Sequence, residues 1–290
     1  MTTLSSPLDL AVPKNKTALM QHLQLLVGRE EYRKWCGGFV SREKFPAFAE
    51  KMSRRYPILR NARGRSYDRK RGLAVMHFIA YPVDEKIQWW LISDDGIGGL
   101  ADLSSEDAKV SRDAMDSDGH VSFADYVLLY ASKKEYRKHP MATSTASKGF
   151  YKEVSTWTWK LRAEVMKELR ASVEECCANL EFGDAGTAHK QGRGLLGLLA
   201  STRRRPLFSG VRNQVHDLHI EATQLWRRYR QHWQKTQRAL GSTDKAEFAT
   251  PSVVEKNFPK MRRIKVFDEP AIRIRDICNS NKPPFAEEHQ

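Results

Sequence analysis

Acidic residues are scarce beside basic ones. The 290-residue chain carries 35 Asp and Glu against 49 Lys and Arg, a formal net charge of +14. Such a surplus points to a polyanionic partner, nucleic acid before an anionic membrane surface, and says nothing of fold. Cysteine is sparse too. Cys36, Cys176, Cys177 and Cys278 have neither zinc-ligand spacing nor the pattern of a disulfide framework, which leads us to expect buried reduced thiols in a cytoplasmic protein. No window holds 18 apolar residues. The longest apolar stretch, Leu73 to Tyr81, is strand-length and interrupted by His77, so no membrane span and no membrane partner is expected. Met1 to Pro13 lacks a basic start followed by an apolar run, so no secretory signal is expected either. Decisive catalytic and nucleotide motifs are missing. Residues 183–197 hold five glycines without the P-loop spacing, and Gly96, Gly98 and Gly99 do not form G-x-G-x-x-G. No cofactor, no metal and no assignable catalytic residue is expected.

What is present is enough apolar residue, 40%, to build a sizeable core. Leu19, His22, Leu23, Leu26 and Val27 fall at spacings of three and four, so residues 14–56 read as mostly helical up to a break at Gly37-Gly38. A further helix begins near Ser41 or Pro46, with Phe45, Phe48, Ala49 and Met52 on its apolar face. Residues 72–81 and 86–93 read as strands around a polar turn, and Val121 to Phe123 with Tyr126 to Tyr130 as a hairpin. Residues 133–156 read as a linker or flexible loop, residues 158–180 as a helix, and Ser209 to Arg238 as a long helix. Val211, Val215, Leu218, Ala222, Leu225, Tyr229 and Trp233 make the apolar stripe of that long helix. The expected fold class is α+β. An N-terminal lobe (14–132) has a small antiparallel sheet and flanking helices. After the linker come a mostly helical basic lobe (157–240) and an extended tail (241–290).

Charge clustering is the most informative feature. From Arg54 to Arg71 there are seven arginines and one lysine against the single acid Asp68. Tyr56 and Tyr67 are interleaved, and Asn61 and Gly64 suggest an exposed loop. From Lys190 to Arg238 there are eleven cations against Asp217 and Glu221. Guanidinium forks bind phosphate bidentately and stack on bases. The candidate nucleic-acid-binding residues are therefore Arg60, Arg63, Arg65, Arg69, Lys70 and Arg71 in the first cluster. In the second they are Arg193, Arg203, Arg204, Arg205, Arg212, Arg227, Arg228 and Arg230. Gly192 and Gly194 would allow close approach to a phosphate.

Weaker motifs are better read as structure. Residues 114–125 imitate an EF-hand loop but have Ala114 where the first carboxylate belongs, and an Asp-Gly hairpin explains them. His216 and His219 share a helix face without a third metal ligand. Asp94 and Asp95 could hold a divalent cation only with a further acid, so a polar turn is expected. Trp90 and Trp157 read as core.

Glu50-Lys51-Met52, Arg54-Arg55-Tyr56, Arg69-Lys70-Arg71-Gly72, Trp89-Trp90-Leu91-Ile92, Tyr126-Val127-Leu128-Leu129 and Trp157-Thr158-Trp159-Lys160 occur in succession. Over roughly residues 20–235 the chain thereby resembles uncharacterised proteins carried on bacterial plasmids and integrative elements. The resemblance implies a mobile-genetic-element setting and brings no active site. A second similarity is to the basic, partly ferredoxin-like RNA-processing proteins of plasmid-borne CRISPR systems, although Gly192 to Gly197 is shorter and earlier than their glycine pattern. The function expected is binding of DNA or RNA through the two arginine-rich clusters. The alternatives are an RNA-processing nuclease or CRISPR-associated RNA-binding subunit, using Asp94 and Asp95 with metal or His77 or His216 without it, and a protein-interaction adaptor among other subunits of a nucleoprotein complex.

Overall fold

A computed structural model describes residues 6–29, 32–102, 107–137, 150–184, 186, 192–240 and 260–279. The chain divides into two compact units. One comprises Met1–Phe123, Leu128–Thr158 and Arg263–Glu287; the other comprises Ala124–Val127, Trp159–Arg262 and Glu288–Gln290. Helices and two small antiparallel sheets make the fold α+β, as expected.

In the first unit, α1 (Lys16–Arg29) leads into β1 (Lys34–Ser41), α2 (Phe45–Arg55) and α3 (Ala62–Lys70). Then come β2 (Met76–Val83), β3 (Lys86–Ser93) and the two-residue β4 (Arg112–Asp113), giving a sheet of order β2-β3-β1-β4. Strand β3 occupies the span expected from its apolar run, and β2 starts four residues later than expected. The two join through a tight turn at Asp84 and Glu85, with Asp84 at φ 50°. Strand β1 corrects the helical reading of this stretch: it pairs along its whole length with β3, from Lys34↔Ser93 to Ser41↔Lys86. The register sets two faces. Gly38, Trp89 and Ala80 lie on one, where α2 places Phe45 and Phe48 against Phe78 and Trp89. Gly37, Trp90 and Ile79 lie on the other, where Phe123 packs 5.9 Å from Trp90 and 5.7 Å from Tyr81.

A second sheet has order β5-β6-β7, from Val121–Phe123, Tyr126–Arg137 and Phe150–Leu161. The described ends of the expected linker are therefore strand, and the alternating Trp157-Thr158-Trp159 is sheet rather than the start of a helix. Residues 138–149 of that linker lie outside the described residues. Trp90 and Trp157 are both buried, as read from the sequence.

The second unit holds α4 (Ala163–Ala178), α5 (Gly194–Arg203) and α6 (Ser209–Ala239). Helix α6 matches its expected span within a residue. Val211, Val215, Leu218, Ala222 and Trp226 form its buried stripe, and Phe182 packs 5.0 Å from Trp226. Fully burying each large apolar side chain contributes about 1.5–3 kcal/mol. Helix α5 arises inside the expected glycine-rich break. Gly183 and Gly194 both have positive φ, and a Cβ on Gly194 would lie 2.5 Å from the Glu181 carbonyl, so two chain segments meet where only glycine fits.

In the expected tail, the described residues 260–279 bond to the N-terminal segment and end in a helix. Val12 N donates to Ile272 O and Ile274 N to Leu10 O, and α7 (Ile274–Asn279) packs in the first unit. All four cysteines are unpaired; Cys36 and Cys177 are buried, and burial pushes the Cys177 thiol up to about 11. Among the described residues no helix is long and apolar enough to cross a membrane.

Candidate nucleic-acid interface

The first arginine cluster is a helix, not a loop. Asn61 caps α3, its Oδ1 accepting from Gly64 N at 2.8 Å. Asp68 is buried on the inner face, and Arg60 Nε reaches its carboxylate at 3.2 Å, because a buried carboxylate needs a counter-charge. Arg65 Nη1 donates to Arg60 O. Arg69 donates to the Tyr32 hydroxyl, stands 5.6 Å from the Tyr32 ring centre and pairs with Asp94 at 3.8 Å. The side chains of Arg60, Arg65 and Arg69 thus brace the fold. Arg63, Lys70 and Arg71 are exposed, Arg71 lying 5.5 Å from the exposed Tyr67 ring.

The same bonds bear on the nuclease alternatives. Asp94 accepts from Val75 N at 2.8 Å and Gly96 N at 3.3 Å, so it organises the loop after β3. Among the described residues no group of three or more His, Cys, Asp or Glu is arranged to hold a metal. His77 lies against Tyr32, ring centres 4.8 Å apart, and its Nε2 is buried from solvent. Burial first, then the nearby Arg65, lowers its pKa to about 3. A neutral ring with a covered Nε2 packs the core; proton transfer to a bound strand would need that atom at the surface.

In the second cluster the structure separates three groups. Arg205 Nη1 pairs with Asp125 at 2.8 Å. Arg203 Nη2 lies 3.4 Å from Nδ1 of the buried His219, whose Nε2 lies 3.0 Å from Thr202 Oγ1. The Thr202 hydroxyl donates to Leu199 O, so it accepts from His219 Nε2–H and leaves Nδ1 to accept from Arg203. Burial and the Arg203 charge lower the His219 pKa to about 4, consistent with that neutral ring. Arg203 and Arg205 therefore hold the second unit together, while Arg193 and Arg204 remain exposed and Arg212 half-buried. The amides opening α5 do not await a phosphate: Leu195 N and Leu196 N already donate to the Glu181 and Phe182 carbonyls.

Helix α6 carries the clearest basic surface. At about 100° per residue, Gln224, Arg227, Arg228, Gln231, Lys235 and Arg238 fall within one sector of about 100°. All six are exposed. Trp226, Tyr229 and Trp233 lie on the opposite side, buried or half-buried, and Arg230 borders them, half-buried. No acid occurs between Glu221 and Arg238. Arg227 and Arg238 are eleven residues apart, about 16 Å along the axis. Lys235 and Arg238 belong to this face although neither is among the candidates named from the sequence; helical periodicity applied to charge, as to apolar residues, finds them.

These features define an α+β chain with exposed cationic helix faces on each of its two units. No protein-family model, no curated protein and no solved structure matches it.

Proposed function

We propose that the chain binds nucleic acid through its phosphate backbone. The observation that carries the reading is the solvent face of α6, where four exposed cations span about 16 Å of helix with no acid among them. Fixed cations at such spacing release counterions from a polyanion when they bind it. The exposed Arg63, Lys70 and Arg71 of α3 supply a second cationic face on the other unit. Arg193 and Arg204 are further exposed cations of the unit that holds α6.

The reading is one of a binding protein. Two of the residues a nuclease would use, His77 and Asp94, are engaged in packing and loop structure. A mobile-element setting and a cytoplasmic location rest on the sequence resemblance and the cysteine pattern, and belong to the same proposal.

Replacing Arg227, Arg228, Lys235 and Arg238 together by Gln tests it, because the apolar stripe of α6 is untouched. Binding to a fluorescent single-stranded oligonucleotide, followed by anisotropy over a salt series, should weaken, and its log–log salt slope should flatten by about three. Unchanged affinity and slope in the folded variant would show that this face is merely solvated.

A further inference from the structure

Strand β1 has an open edge, and a cavity of about 460 Å³ lies along it. Strand β4 covers only Lys34 and Trp35 before the chain leaves as a 3-10 turn at Ala108–Val110. Ala114 N donates to Arg33 O, so the odd-numbered residues of β1 turn their main-chain groups toward the β4 side. That alternation carries the amides and carbonyls of Gly37 and Phe39 to an edge that no strand among the described residues occupies. Gly37 and Gly38 leave this backbone uncovered by side chains. Gly37 is required there: a Cβ on it would lie 2.6 Å from the Trp89 carbonyl.

The walls are aromatic. Phe39 is 56% exposed. Trp89 lies beside Gly38, half-buried, its ring centre 4.8 Å from that of Phe48. Trp35 forms the floor beyond Gly37 and carries the Arg112 guanidinium 5.8 Å from its ring centre. The rim is cationic. Lys51 and Arg112 are exposed, and Arg55 reaches Asp107 at 3.6 Å, leaving three cations against one acid.

We infer that this groove takes one unpaired nucleobase with its phosphate. The inference rests on the backbone-binding reading and makes it specific for single strands. A base stacks on Phe39, its polar edge meets the Gly37 amide and carbonyl, and its phosphate meets Arg112, whose pairing with Trp35 puts it on the same side of β1. A base inside a duplex cannot enter, because its pairing edge and both faces are already covered. The volume suits a ligand of nucleotide size. An extended peptide adding to β1 is the competing occupant of an open edge. Val110 and Asp107 line the groove where β4 gives way, and its cationic rim favours a ligand that carries a phosphate over an uncharged strand.

Two measurements on the full chain test this. In the first, 5′-nucleoside monophosphates are titrated against tryptophan fluorescence, alongside an acidic, alternating Asp-Val hexapeptide. The nucleotides should quench the wild type, the Phe39→Ala variant should lose at least most of that response, and the peptide should have no effect. In the second, single-stranded and duplex oligonucleotides of equal length are compared at one salt concentration. The wild type should prefer the single strand at least ten-fold, and Phe39→Ala should reduce that preference by roughly ten-fold with the salt slope unchanged. Phe39 projects to solvent, so the variant keeps its fold. Salt-dependent binding without single-strand preference or quenching would overturn the groove assignment and leave the backbone reading standing. Nucleotide quenching without salt-dependent binding of either oligonucleotide would do the reverse. Quenching by the peptide alone would assign the groove to strand addition and overturn the inference.

Discussion

Three histidines, the buried His219 and the half-buried His22 and His77, are held neutral. Burial, then the charge of Arg65, brings His22 to about 4 and His77 to about 3, and burial with Arg203 brings His219 to about 4. Unfolded, each titrates near 6.5. Below that value the unfolded chain takes up protons that the folded chain refuses, so the stability these rings contribute is complete above pH 6.5 and is lost as pH falls toward 4 and 3. Each tenfold difference in proton affinity between the folded and unfolded chain corresponds to about 1.4 kcal/mol. The urea midpoint should therefore drop between pH 7.5 and pH 5, before most carboxylates protonate; an unchanged midpoint would mean the rings charge freely in the fold. The arginines divide in the same physical way. Arg205, held to Asp125, should cost about 1 kcal/mol in urea unfolding when changed to Gln and leave the nucleic-acid salt slope intact. Exposed Arg193, changed to Gln, should leave stability within about 0.5 kcal/mol of the wild type.

At the scale of elements, periodicity decided what could be read. Helix α6 was legible because its apolar residues recur at three and four over about six turns, and β3 because the apolar Ile87 and Trp89 to Ile92 lie between polar Lys86 and Ser93. Strand β1 was not legible. Its Gly37-Gly38 pair looks like a break, and only pairing with β3 makes it a strand. Helix α3 was hidden by composition: arginine, glycine and asparagine suggest a loop, yet Asn61 stands three residues before the amide it caps. Tertiary contacts of Asp68 and Arg69 complete what propensity leaves marginal. Asn61→Ala should consequently destabilise the protein by about 1 kcal/mol, measured by urea unfolding, and reduce helical circular dichroism only slightly. No change in stability would mean that Arg60 and Asp68 hold α3 without the cap.

Across the whole molecule, the net charge of +14 was legible by counting, and its concentration in two stretches by inspection. Which cations are held by acidic or histidine partners was not. Arg60, Arg69, Arg203 and Arg205 meet Asp68, Asp94, His219 and Asp125, partners between 8 and 80 residues away, and no local pattern announces them. The groove at β1 was equally hidden, since it depends on where the two-residue β4 stops. The central claim is that the outward cations bind phosphate. It is tested most directly by the affinity of the intact protein for a single-stranded oligonucleotide as salt is raised from about 20 to 300 mM. Engagement of the four α6 cations alone requires log affinity to fall with log salt at a slope of about −3 or steeper. Absence of binding at low salt, or an affinity that ignores salt, would contradict the account.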